Sequence, residues 1–180
     1  TIPRTLEEAR NSIEWPEWLE ALKKEACAII DNNTFEVVIK PKGRKTIKSR
    51  YVFDIKTDEN GEISRYKCRL VAKGYTQVAG IDYESTFSPV VSFTAVRSFI
   101  ASAAHKAHRI FQCDVNTAFL NAALEEELYL DIPDGMRISE DVLKRMQVQQ
   151  SECCLRLRKS LYGLKQASRE RYRTLNDWLT

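Results

Sequence analysis

The stretch from Ile63 to Lys73, ISRYKCRLVAK, alternates in polarity with a period of two, and only a β-strand sorts that pattern onto two faces. Tyr66, Cys68, Leu70 and Ala72 fall on one side, with Arg65, Lys67, Arg69 and Lys73 on the other. A chain containing this strand must build a core against one face and leave the opposite face to solvent or to a polyanion. The preceding segment Ile47 to Lys56 supplies a partner strand. Asn60-Gly61 between them is a hairpin turn signal, because both residues tolerate positive φ. A stiff ladder carrying a row of cations can set each charge against a phosphate. A cationic edge strand can equally serve only to block edge-to-edge aggregation.

Charge is distributed to match. The net charge is only +3, yet Lys40 to Tyr75 and Arg156 to Arg173 are both strongly basic and the rest of the chain is acidic. Two basic segments on an acidic chain point to a polyanion such as a nucleic-acid backbone. The alternative is two solvated faces of ordinary surface elements. A length of 180 residues suits one domain with a real core. The polar start, residues 1–13, is expected to be a flexible tail, and residues 14–180 a single domain. No run approaches the ~18 consecutive apolar residues of a membrane helix, so an intracellular soluble protein without a membrane partner is expected. The cysteines Cys27, Cys68, Cys113, Cys153 and Cys154 are scattered without CxxC spacing, which argues against a disulfide framework or a zinc site and for reduced thiols.

Along the chain, Pro16 opens a helix with Trp18, Leu22, Ala26 and Ile29 on one face, and Asn32-Asn33 stops it. Phe35 to Ile39 is a short strand. Tyr75 to Ser92, with Gly80 and Pro89, is a long connection. Ser92 caps a second helix with a stripe of Val96, Phe99, Ile100, Ala103 and Ala107. His105 and His108 lie near its end without an HExxH pattern and are read as surface polar residues. Leu128 to Ile132 and Cys153 to Arg158 read as strands, with residues 136–152 between them as a tolerant insertion. Most of the segment that follows Ser160 reads as helical, with Leu164, Ala167, Tyr172, Leu175 and Leu179 inward and Lys165, Arg169 and Arg173 outward. The order predicts an α+β fold with a mainly antiparallel sheet and packed helices.

The segment RIFQCDVNTAFLNA, Arg109 to Ala122, runs as an apolar strand from Ile110 to about Val115 and carries one carboxylate, Asp114. Asp114 at the end of a buried strand can hold a hard cation such as Mg²⁺, with the Val115 carbonyl as a second oxygen donor. The consecutive acids Glu125, Glu126 and Glu127 read as a solvated turn, since neighbouring side chains do not converge on one point.

RYKCRLVAKGYTQVAGIDYESTFSPVV, QCDVNTAFLNAALEEELYLDIPDG and CLRLRKSLYGLKQASRERYRTLNDWL together closely resemble the reverse transcriptase of copia-type LTR retrotransposons, from about Trp18 to the last residue. The resemblance implies the fingers and partial palm of a right-hand, RNA-directed DNA polymerase. It assigns Asp114 as the catalytic and metal-binding acid with the Val115 carbonyl beside it, and Phe119 as the ring that excludes a ribose 2′-hydroxyl. Lys67, Arg69 and Lys73 become the cations of the incoming triphosphate, and Gly163 the loop that packs on the nucleotide, with Gln166 and Lys165 as weaker carry-overs. It implies two Mg²⁺ ions, a template of RNA or DNA with its primer, dNTPs, and the rest of the retrotransposon polyprotein as partner. By the same analogy the location is a cytoplasmic virus-like particle or the nucleus. The family's second motif, with two adjacent Asp, does not occur in this sequence, nor do thumb, connection and RNase H regions. The chain alone is therefore expected to be inactive; the alternative is a non-catalytic nucleic-acid-binding remnant, retained or recruited by a host. Ser168 replaces the family's usual Pro, and Arg171 replaces an aromatic, which leaves either a packing gap or an uncovered surface position.

Overall fold

A computed structural model describes residues 1–180. The elements run α1 (Leu6–Arg10), α2 (Trp15–Asp31), β1 (Phe35–Ile39), β2 (Ser49–Thr57), β3 (Ile63–Ala72), α3 (Phe93–His105), β4 (Tyr129–Leu130), α4 (Glu140–Met146), β5 (Cys153–Leu157) and α5 (Ala167–Leu179). Helices mix with two antiparallel sheets, one of order β1-β5-β4 and the other the β2-β3 hairpin. The hairpin register pairs Phe53 with Cys68 and Tyr51 with Leu70 on the inner face, and Val52 with Arg69 and Asp54 with Lys67 on the outer. The alternation of the sequence is thus the alternation of the sheet. In the connection only Gly61 has positive φ; Asp58 Oδ1 holds the loop by accepting from the Asn60 and Glu62 amides, at 2.9 Å each. The turn is therefore longer than a two-residue hairpin.

Helix α2 lies across the hairpin and covers its outer edge. Glu25 Oε1 accepts the Leu70 amide at 3.0 Å, satisfying a strand donor that would otherwise face open solvent. Trp18 meets Phe53 and Tyr66 edge-on, with ring centroids 5.2 and 4.6 Å apart. Ala9 completes this small core at 0% exposure. Helix α1 thus occupies the stretch expected to be a flexible tail. Thr5 Oγ1 accepts from the Glu8 amide while the Glu8 carboxylate accepts from the Arg4 amide, which starts the helix. The larger core joins Leu130, Leu155 and Leu157 of the three-stranded sheet to Ile47, Leu70, Leu120, Leu161 and Leu164.

Four further expectations change. Residues 110–115 form no strand: they run as an exposed connection, with Phe111 82% exposed, because no strand of the chain lies beside them to take their backbone hydrogen bonds. The α3 stripe is largely uncovered, with Phe99 62% exposed and only Ala103 buried. The expected insertion is structured: it holds α4, and Ile138 is buried with its amide bonded to Gln150 Oε1. The last helix, α5, takes up most of the segment after Ser160 as expected, but its faces differ: Tyr172, Leu175 and Leu179 are exposed, whereas Arg169, expected outside, is buried.

The thiols divide by burial. Cys68, Cys153 and Cys154 are buried and Cys27 and Cys113 exposed. Burial pushes the Cys68 thiol up to about 12, with Glu25 adding to the shift. Iodoacetamide at pH 8 is expected to alkylate Cys27 and Cys113 in the native chain and to reach the other three only in urea; peptide mass mapping reads the difference.

Candidate nucleotide-facing site

Three stretches far apart in sequence meet at one place. Strand β3 presents Arg69 on its outer face; the turn after Asn116 presents Phe119; the turn before α5 presents Tyr162. The Arg69 guanidinium sits 4.9 Å from the Tyr162 ring centroid, and that ring meets Phe119 edge-on at 4.8 Å. A cation over a ring face and an edge-to-face pair are both favoured by the ring quadrupole. The arrangement therefore holds Arg69 against a half-buried aromatic wall.

Backbone contacts fix it. The Ala72 amide donates to the Tyr162 carbonyl at 2.7 Å, joining the end of β3 to the turn. Gly163 has φ +88 and lies so close to the strand that a Cβ there would collide with the Ala72 carbonyl and stand 2.7 Å from Val71 Cγ1. Gly74 meets the Gly163 carbonyl in the same way. Only glycine admits both the dihedral and the approach at Gly163. Phe119 is set by a tight turn in which the Leu120 amide donates to the Thr117 carbonyl at 2.8 Å, and Leu120 anchors it in the core.

Gln166 does not line this surface. It is fully buried; its Nε2 donates to the Asp82 carbonyl at 3.0 Å, and its Oε1 accepts from Gln77 Nε2 at 3.1 Å. Gln77 Oε1 in turn accepts the Lys165 amide at 2.8 Å. Both amide groups are thus engaged in tying the Tyr75–Ser92 connection to the turn. Asp114 and Val115 lie on the exposed connection before Phe119. No three His, Cys, Asp or Glu side chains converge on a point suited to a metal. The donor set on this chain, one carboxylate and one carbonyl, does not fit a site for two dications.

The charges sort unexpectedly. Of the C-terminal basic segment, Arg156 and Arg158 pair with Glu36, Arg169 with Glu126 and Glu170, and Arg173 with Glu125 and Glu170. Glu127 takes Arg44 and Arg156. The three consecutive acids therefore pair with arginines on different elements; Glu125 and Glu127 stay exposed, as expected of a solvated turn, while Glu126 is partly buried against Arg169. On the hairpin, only Lys56 pairs with an acid, Asp54, at 2.6 Å. Arg50, Arg65, Lys67 and Arg69, together with Lys73 beyond the strand, carry no acid partner. Partial burial, then Arg69, Arg65 and Lys56, hold the Lys67 ammonium below the ordinary lysine range, with Asp54 opposing them. A docked anion would relieve that repulsion.

A family profile described as reverse transcriptase (RNA-dependent DNA polymerase) matches residues 32–180. The chain belongs to the reverse transcriptase family. Among its relatives, the retrovirus-related Pol polyprotein from transposon TNT 1-94 of Nicotiana tabacum is 37% identical over 177 residues, which is 98% of this chain and 13% of the relative. The Pol polyproteins from transposons RE2 and RE1 of Arabidopsis thaliana are 40% and 39% identical, over 90% and 98% of this chain and 11% of each relative. These are plant copia-type transposons, and the chain is similar to the reverse transcriptase domain of their polyproteins. The chain spans 11 to 13% of the length of the relatives it matches. No solved structure matches it. Within the reverse transcriptase frame, the resemblance assigned Arg69, Phe119 and Gly163 but passed over Tyr162. Its only sequence signal was an aromatic next to the glycine.

Proposed function

We propose that this chain forms the fingers and first part of the palm of a copia-type reverse transcriptase and supplies the nucleotide-facing side of its active site. The contact of Arg69 and Phe119 through Tyr162 carries the reading, because residues assigned separately to triphosphate and sugar converge on one wall. In the reaction a primer 3′-hydroxyl attacks the α-phosphate of a dNTP opposite an RNA or DNA template. Arg69 and Lys67, with Lys73 nearby, offset charge that develops on the departing pyrophosphate. Phe119 excludes a ribose 2′-hydroxyl by volume, and Gly163 holds the wall at its distance from the strand. Gln166 acts through the loop that it fixes. Reverse transcriptases generally work with Mg²⁺, to which this chain would bring Asp114 and the Val115 carbonyl.

The remaining carboxylates would come from elsewhere in the polyprotein. The exposed Phe99 and Ile100 on α3 fit that partner, since large apolar side chains left open on one helix are ready to be covered by a neighbouring part of the polyprotein. The 180-residue chain is accordingly expected to give no primer extension with magnesium. Extension that disappears in Asp114→Ala would refute this.

A second reading, a nucleic-acid-binding remnant without catalysis, is favoured by two separate features: Asp114 is exposed and joined by no cluster of further acids, and the hairpin cations are left without acid partners. It predicts salt-sensitive primer-template binding that weakens about tenfold in Lys67→Ala or Arg69→Ala, about 1.4 kcal/mol each, and is unchanged in Asp114→Ala.

A further inference from the structure

Helix α5 carries Arg169, Arg171 and Arg173. On a helix, residues two apart point in nearly opposite directions, at about 100° per residue, while those four apart share a face. Arg169 and Arg173 turn together toward Glu125, Glu126 and Glu170. Arg171 points the other way. It is exposed, makes no ion pair, and sets its guanidinium 5.9 Å from the Phe119 ring centroid. The Phe119–Tyr162 pair is thereby bracketed by two guanidinium groups without acid partners, Arg69 at the Tyr162 end and Arg171 at the Phe119 end.

We propose that Arg171 is a second phosphate-binding cation of this site, gripping an anion that lies along the aromatic wall whose other end is held by Arg69. The inference rests on the nucleotide-facing reading above. Two observations support it. The helix segregates this one arginine from the acids that neutralise its neighbours. Its position over a ring orients the planar fork and restricts it, lowering the entropy lost when it closes on a phosphate. The phosphate could belong to a nucleoside triphosphate or to a nucleic-acid strand; both offer the paired oxygens that a guanidinium takes bidentately.

The test measures binding of dATP and of an RNA-DNA primer-template to the 180-residue chain across a series of salt concentrations, with wild type, Arg171→Ala, Arg171→Lys and Arg69→Ala compared. Arg171→Ala is expected to weaken one of the two ligands about tenfold, and the ligand affected identifies the source of the phosphate. If the ligand is the primer-template, the slope of log affinity against log salt should also fall by about one. Arg171→Lys should retain the salt slope but not the full affinity. Because Arg171 is exposed and pairs with no acid, the variants should melt with the wild type. Unchanged affinity for both ligands in Arg171→Ala, alongside a loss in Arg69→Ala, overturns the role of Arg171 and leaves the nucleotide-facing reading standing. Binding of neither ligand by the wild-type chain overturns both.

Discussion

Arg169→Ala is expected to destabilise the chain by about 3–5 kcal/mol, the cost of removing one partner from a buried ion pair. Its Nε donates to Glu170 Oε1 at 2.6 Å, and its terminal nitrogen donates to Glu126 Oε1 at 2.7 Å. Burial works against the Arg169 charge, but the bonds to Glu170 and Glu126 outweigh it and hold the guanidinium above the ordinary arginine range. Glu170 is 3% exposed, so without the arginine a carboxylate stays in the interior. Arg173 reaches it only at 3.8 Å and cannot replace two close hydrogen bonds. Urea unfolding at pH 7 measures the loss. Adding Glu170→Gln to Arg169→Ala should recover part of the stability, because the double variant removes the more deeply buried of the two carboxylates that the arginine neutralises and leaves only Glu126 unpaired. A single variant as stable as the wild type would mean that water satisfies Glu170, and the network would then be surface electrostatics worth little.

The same residue shows where sequence stops informing. Periodicity put Arg169 outside because arginine on an amphipathic helix usually faces water, and nothing local signals that Glu126, 43 positions earlier, will meet it. The hairpin was legible because its information is local: the period of two fixes both faces, and the cations stayed where the alternation put them. Helix α1 was legible in principle, since Thr5 and Glu8 form a capping-box pattern, but its short polar sequence gave no apolar stripe. Residues 110–115 failed for the opposite reason. Their apolar run is strand-like, yet a strand exists only beside another, and this chain places none there. Asp114 could be named from a motif without being seated by a fold. At the site, the motifs supplied Arg69 and Phe119; Tyr162, which joins them, emerged only from the approach of two backbones.

That approach makes Gly163 the position where a single methyl group should do the most damage to the site. Gly163→Ala must place an L side chain at φ +88 and push its Cβ into the Ala72 carbonyl and Val71. The dihedral alone costs about 1–3 kcal/mol, and neither neighbour can yield without moving strand β3. A total of about 3 kcal/mol or more is expected, read from urea unfolding. Gly61 supplies the control. It has φ +82, but a Cβ there meets nothing within 4 Å, so Gly61→Ala should show the conformational cost without the collision. A larger loss at Gly163 than at Gly61 measures the contact itself. Equal losses would mean that the turn can draw away from the strand. In that case the Ala72 to Tyr162 hydrogen bond could not hold Tyr162 under Arg69, and the aromatic wall would lack the rigidity that a nucleotide-facing role requires.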